Sequence, residues 1–334
     1  MNGLSNEEVW TMTTETVHIS AWSLYQPDNE PIRNVIQEAK REGYVFTRDE
    51  AEFNQEGIYT VAMEKHLTHL QMIERVVEPL IEKCRKKGTT IAEIWFAQTS
   101  MVAWHDRNFF KSALARWGLE HVPIYALEEY SCSSFHSVLK NAKIMLEHAP
   151  NEAILFIGCD KGRHPLDYVT DYVFVGDSSS ACILEYGKGA HQLLAVDSKH
   201  DKVIYDNDEE KIKQAYQLYY LHIRQFVIRM IKQNGLKVED IKLVFCNNMP
   251  NFVWETVART TGIPLSKFYR PSLHTGCHMT NSDVLFNLEH AVMHEALAPG
   301  DYYFSLTTGT GGSFGCALHR YCPPNHTDQN QGDY

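Results

Sequence analysis

Cys132 stands in the run Glu-Tyr-Ser-Cys-Ser-Ser-Phe-His-Ser-Val-Leu-Lys, where a loop is expected to become a helix. A thiol at that point feels the unpaired N–H groups of the first turn and the positive end of the helix dipole, both of which favour the thiolate. A thiolate activated in this way is a nucleophile that can carry a covalent intermediate. The same position would also suit a small core side chain at a helix start. His278, in Gly-Cys-His-Met-Thr-Asn-Ser-Asp, is the imidazole whose setting most resembles that of Cys132. His274 and Cys277 lie beside it, but a fourth ligand for a zinc site is lacking. His290 and His294 are one helical turn apart and read as surface residues of an acidic helix.

The elements that must hold these residues follow from hydrophobic periodicity. Apolar residues at helical spacing from Tyr59 to Lys87 predict a long helix, with Gly88 as its stop. Next come a strand at Ile94 to Gln98, a helix over Asn108 to Trp117, a strand at Pro123 to Leu127, a helix from Cys132 to Leu146, and strands at Ala153 to Cys159 and Ala181 to Glu185. The second half repeats the order: a helix from Glu209 to Asn234, a strand at Lys242 to Cys246, a helix at Phe252 to Thr261, a strand at Lys267 to Arg270, a helix from Thr280 to Leu297, and strands at Tyr302 to Thr307 and Ser313 to Leu318. Repeated order is the mark of duplication. It implies two similar α/β halves, 1–190 and 191–334, packed together. Cys132 and His278 then fall at equivalent points, each at the start of the third helix of its half, and a pseudo-twofold packing would let them face each other.

Composition narrows the class. At 334 residues, 44 % of them hydrophobic and 22 % charged, the chain is long enough for two globular domains. A net charge of -11 argues against a nucleic-acid binder, which needs excess Lys and Arg. The cluster Lys83 to Lys87 reads as cations at a helix C-terminus. Eight cysteines without close pairing suit reduced thiols rather than a disulfide scaffold. The N-terminus lacks the features of a signal peptide and no apolar run approaches a membrane span, so the expected location is the cytoplasm. A polar tail from Pro323 is expected to fray.

Three motifs occur in the order seen in a known family: Cys132 with its helix, Val-Gly176-Asp177-Ser-Ser-Ser-Ala-Cys-Ile-Leu, and Gly309-Thr-Gly-Gly-Ser-Phe-Gly315. On these residues the chain resembles β-ketoacyl-[acyl-carrier-protein] synthase III and its thiolase-superfamily relatives, over roughly residues 15 to 320. Ala-Gln-Thr-Ser at 97–100 is similar to the family's first core strand. The resemblance implies a thiolase-like fold with a layered α-β-α-β-α architecture and a homodimer. It also implies no permanently bound cofactor and no metal; the acyl donor is acyl-CoA or a phosphopantetheine-linked acyl carrier protein. Gly176-Asp177 is expected to shape a turn.

The family's nucleophilic Cys works with a His after a strand of the second half and an Asn at the start of a later helix. By register these positions hold Asn247 and His278, so imidazole and carboxamide have exchanged places. The ordinary synthase uses both groups to stabilise the enolate formed on decarboxylation. A His beside the thiol can instead deprotonate a hydroxyl or amine acceptor, and Asp283 could orient it, giving a Cys132-His278-Asp283 triad. This segment is similar to that of family branches that make esters or amides. Asn247 would donate to a thioester carbonyl, or would only satisfy backbone groups after its strand. The oxyanion hole is expected from the backbone N–H of Cys132 and the loop Gly309, Thr310, Gly311 and Gly312. The leading expectation is an acyltransferase passing an acyl group from a thioester to a small-molecule acceptor in specialised polyketide- or fatty-acid-like biosynthesis. The alternatives are a decarboxylative condensing enzyme and an inactive partner subunit of a condensing complex.

Overall fold

The computed structural model describes residues 15–99, 109–127, 131–200, 208–309 and 312–323. The tail from 324 and the N-terminal residues to 14 lie outside the described residues. The first half runs β1 (Val17–Tyr25), β2 (Asn29–Pro31), α1 (Ile32–Arg41), α2 (Glu50–Gln55), β3 (Thr60–Ala62), α3 (His69–Lys87), β4 (Thr90–Ala97), α4 (Lys111–Trp117), β5 (Ile124–Leu127), α5 (Ser134–His148), β6 (Glu152–Asp160) and β7 (Ser178–Tyr186). The second runs β8 (His191–Lys199), α6 (Glu209–Gln233), β9 (Ile241–Cys246), α7 (Asn251–Thr261), β10 (Phe268–Tyr269), α8 (Leu273–Gly276), α9 (Asp283–Met293), β11 (Tyr302–Thr308) and β12 (Phe314–Tyr321).

Strands line up as β5-β4-β6-β7-β1 and then, in mirrored order, β8-β12-β11-β9-β10. In each set three strands are parallel, β4, β5 and β6 or β9, β10 and β11; the last strand in chain order, β7 or β12, runs antiparallel to both of its neighbours, the third parallel strand and the set's first strand, β1 or β8. A short antiparallel contact, His18 with Gln192 and Ile19 with His191, joins the sets at the seam. Period-2 alternation explains the layering. On β6, Ile154 and Phe156 face the central core, which α5 (Phe135, Val138, Leu139) and α9 (Val284, Leu285, Leu288) fill between the two sets of strands. Leu155 and Ile157 face the other way, onto α3 and α4. On the second set, Val244, Cys246 and Phe304 face α6 and α7. The result is the expected α-β-α-β-α stack, with the N-terminal turns of the two central helices buried. These are the helices at whose starts Cys132 and His278 lie.

Three expectations need correction. The chain from Tyr59 does not begin the long helix: Thr60–Ala62 is a strand, and α3 starts at His69 because Thr68 and Gln71 form a reciprocal capping box there. Each half opens on a strand, β1 or β8, rather than on a helix, and β1 rather than the 97–100 stretch is the first core strand; Ala97 ends β4 and Ser100 lies outside the described residues. Between β1 and α3 an insertion of β2, α1, α2 and β3 builds its own small core of Ile32, Val35, Phe53, Ile58 and Val61. That insertion packs on Phe174, Leu273 and Cys277, directly against the segment carrying His278.

Candidate active site

Cys132 lies in the short turn Ser131–Ser133 that leads into α5, and His278 lies between α8 and the turn Thr280–Ser282 that leads into α9. Packing α5 against α9 in the central layer brings the two turns together across 146 residues of chain. The Cys132 Sγ is 3.2 Å from His278 Nε2, and His278 Nδ1 is 2.5 Å from Asp283 Oδ2. All three side chains are buried. The backbone is strained on both sides of the contact: Ser131 has φ 47°, Cys277 φ 63° and Thr280 φ 49°. Non-glycine residues in the left-handed region persist only where their surroundings over-determine them, and such positions cluster at functional sites.

Those surroundings are specific. The N–H of His278 donates to Phe174 O at 3.1 Å, and the N–H of Gly176 donates to His278 O at 2.9 Å, so the loop before β7 holds the His278 backbone on both sides. Gly176 is required there, because a Cβ would press into the carbonyl oxygen of Gly276. Asp177 secures that loop: its carboxylate accepts from the N–H groups of Glu64 and Gly162 and from the Tyr168 hydroxyl. Burial raises the Asp177 carboxyl to about 6. The insertion adds a further clasp, since Thr60 Oγ1 donates to Thr275 O at 3.1 Å and His274 Nδ1 sits 2.8 Å from Gly57 O. His274 is therefore spent on the backbone. Among the described residues no group of three His, Cys, Asp or Glu is placed to hold a metal ion.

Asp283 is an acceptor for four donors. Besides His278 Nδ1, it accepts from Asn248 N at 2.8 Å, Asn248 Nδ2 at 2.9 Å and Met279 N at 2.8 Å. Asn248 is in turn braced by Ser272 Oγ, which donates to Asn287 Oδ1 at 2.8 Å, while Asn287 Nδ2 donates to Cys246 O at 3.0 Å. Such donors fix the orientation of the carboxylate. Burial by itself would pull the His278 imidazole down; the sulfur of Cys132 and the carboxylate of Asp283 outweigh it and hold the ring protonated well above the ordinary histidine range. The arrangement is a buried sulfur, imidazolium and carboxylate in line, with Nδ1–H directed to Asp283 and Nε2–H directed to the sulfur.

The other expected residues fall differently. Asn247 is buried, and both ends of its carboxamide are engaged by Thr308: Nδ2 donates to Thr308 O at 2.7 Å and Oδ1 accepts from Thr308 N at 3.1 Å. It clamps the end of β11 to the end of β9. Gly309 donates its own N–H to Ser313 O at 2.8 Å, which closes the loop. Gly312 is buried with φ 79°, a conformation that needs glycine; Thr310 and Gly311 lie outside the described residues. His290 stacks on His294 with ring centroids 3.9 Å apart and meets the Tyr269 hydroxyl at 2.7 Å. All eight cysteines are free thiols. Burial pushes Cys84 up to about 11 and Cys246 and Cys277 up to about 12, which makes them poor nucleophiles. Sequence reasoning missed Asn248, Ser272 and Asn287. The one local signal was Asn287, a carboxamide on the otherwise apolar buried face of α9.

Comparison with known proteins agrees with this architecture. Residues 231–321 match the sequence model of the 3-oxoacyl-[acyl-carrier-protein (ACP)] synthase III C-terminal family. Comparison with curated protein sequences gives no match. Among solved structures, ChlB3, described as an acyltransferase, superposes with a TM-score of 0.75 at 16 % identity, over 92 % of this chain and 98 % of that one. The 3-oxoacyl-[acyl-carrier-protein] synthase III of Aquifex aeolicus VF5 gives 0.72 at 15 % identity, over 91 % and 100 %. OleA of Xanthomonas campestris gives 0.71 at 12 % identity, over 92 % and 99 %. The chain therefore has the thiolase-like fold of these ketosynthase III structures, and its residues 231–321 are similar in sequence to the synthase III C-terminal family.

Proposed function

We propose that this thiolase-like chain is an acyltransferase in which Cys132 takes an acyl group from a thioester and a hydroxyl or amine acceptor activated by His278 removes it. The single observation that carries the reading is the line from Cys132 Sγ to His278 Nε2 at 3.2 Å and from His278 Nδ1 to Asp283 Oδ2 at 2.5 Å. In the first step the sulfur attacks the thioester carbonyl, a carbon–sulfur bond to Cys132 forms, and the donor's carbon–sulfur bond breaks. The leaving thiolate takes the proton from His278 Nε2. Acylation removes the negative sulfur that helps to hold the ring protonated, so the imidazole becomes a better base for the second step. It then takes the acceptor's proton while the acceptor attacks the acyl-enzyme; the new bond to the acceptor forms, the carbon–sulfur bond to Cys132 breaks, and the sulfur leaves beside the reprotonated ring, which restores the starting pair. Asp283 keeps the ring in the required tautomer throughout.

The donor is acyl-CoA or a phosphopantetheine-linked carrier protein, the acceptor a small molecule, and the setting cytoplasmic specialised metabolism. The edge strand β5, with Tyr125 exposed and its outer N–H and C=O groups unpaired by any described strand, supports a homodimer closed at that edge. The division at residue 190 is carried forward on the repeated strand order, which restarts at β8.

Incubation with acyl thioesters followed by intact-protein mass measurement tests the first step. The expected result is one acyl adduct on the wild type and none on Cys132→Ala; an adduct that survives this substitution, or no adduct at all, removes the proposal. The match of 231–321 to a synthase III segment favours a second reading, decarboxylative carbon–carbon condensation. Release of carbon dioxide from a malonyl thioester would select it over simple transfer. With the Asn247 carboxamide engaged by Thr308, His278 is, among the described residues, the one imidazole in hydrogen-bond contact with Cys132, which supports acyl transfer over enolate stabilisation by paired donors.

A further inference from the structure

We infer that His136 is a positioning residue that sets the distance between the nucleophile and the glycine loop; the inference rests on the reading of Cys132 as the acyl-accepting thiol. His136 lies four residues after Cys132 on α5, fully buried, and takes no part in the triad. Its Nε2 is 3.1 Å from Ser305 O, which obliges that nitrogen to carry the proton, and its Nδ1 is 2.9 Å from Thr307 Oγ1, which must then donate to it. Both acceptor and donor belong to β11, the strand that ends at Thr308 and enters the glycine loop. Burial lowers the His136 imidazole to about 4, so a single neutral tautomer holds this geometry at physiological pH.

Two further contacts make the tie rigid. Gly315, where the chain returns from the loop into β12, lies against the His136 ring and Cβ with no room for a side chain. Ser305 Oγ passes the network on to His319 Nε2 at 3.0 Å, and His319 stacks on Tyr303 with centroids 4.8 Å apart. The base of the loop is therefore held from two sides: by His136 on α5, the helix that the Cys132 turn leads into, and by Asn247, just after β9, through Thr308. Acyl transfer needs the reacting carbon and its oxyanion donors placed together, and a displacement of about 1 Å can cost on the order of a hundredfold in rate. One helix that carries the thiol and also grips the loop strand couples these two placements.

Thr307→Val, His136→Gln and the double variant test this, with Val257→Ala, a core truncation on α7, as a stability control. Two measurements are needed. The first is amide hydrogen exchange over peptides spanning 305–318; the second is Cys132 acylation by acetyl and octanoyl N-acetylcysteamine thioesters. The expected result is exchange about tenfold faster in that segment, together with a roughly tenfold lower saturating acylation rate at a half-saturating concentration within about twofold of wild type. The double variant should resemble either single one. Unchanged exchange, or rate losses that follow thermal stability as in Val257→Ala, would overturn the inference. Failure of the wild type to acylate removes the transferase reading, while exchange still decides whether His136 positions the loop.

Discussion

Replacing Asp283 by Asn leaves shape intact and changes one atom and one charge. Asp283 accepts from four donors, His278 Nδ1 and Asn248 N at Oδ2, and Asn248 Nδ2 and Met279 N at Oδ1. A carboxamide has one acceptor oxygen, so whichever way it turns, its NH2 faces two N–H donors. Each buried donor left unpaired costs about 1–3 kcal/mol, giving a stability loss of about 2–6 kcal/mol. Loss of the charged partner also weakens the His278 imidazolium and lowers its titration midpoint. The sign follows from the raised folded value. The stabilisation from His278 is fully present below its unfolded pKa of about 6.5 and is lost as pH rises through the higher folded value, so the stability gap attributable to the ring narrows toward alkaline pH. Histidine-labelled NMR on wild type and Asp283→Asn, with His278→Gln to assign the resonance, reads the midpoint. Single-turnover decay of the acyl-enzyme with an acceptor reads the chemistry, expected to slow by about a hundredfold or more because the tautomer is no longer enforced. An unshifted midpoint, or an acyl-enzyme that decays within about twofold of wild type, would refute the orienting role of Asp283.

Asn248→Ala should slow acyl transfer by roughly tenfold while leaving Cys132 alkylation possible, because it frees Asp283 Oδ1 from one donor without removing the charge; kinetic comparison with Asn287→Ala checks it. Gly176→Ala should displace the His278 backbone through its clash with Gly276 O, and is expected to lower both melting temperature and acylation rate, read by calorimetry and adduct formation. Stability should fall as pH drops below about 6.5, because burial holds His136 at about 4 and His191 at about 3 and the unfolded chain binds those protons more readily. Urea midpoints between pH 7 and 4 measure this, and His191→Phe should flatten the slope.

The helices and most strands were legible in the sequence because they depend on neighbours within a few residues. Glu209–Gln233 and Asn251–Thr261 lie within a residue of their expected ends, and Gly88 and Gly262 stop helices in the left-handed conformation. The miss at Tyr59 has an equally local cause that periodicity does not see: the Thr68–Gln71 box starts α3 at His69, and the apolar residues before it serve the insertion's own core. β8 was missed because its buried face is confined to its first residues at the seam, so the alternation that marks a strand fades along it.

From one dimension alone came the position of Cys132 at a helix mouth, the duplicated order of elements and the equivalence of Cys132 with His278. Periodicity and capping act over a few bonds and are written wherever the residues are. That thiol and imidazole meet, that Asn248, Ser272 and Asn287 stand behind Asp283, and that Asn247 turns to Thr308 were decided by tertiary structure. These contacts join residues far apart in the chain, and their geometry is set by how two buried helices pack between two sets of strands, a quantity no local run of residues encodes.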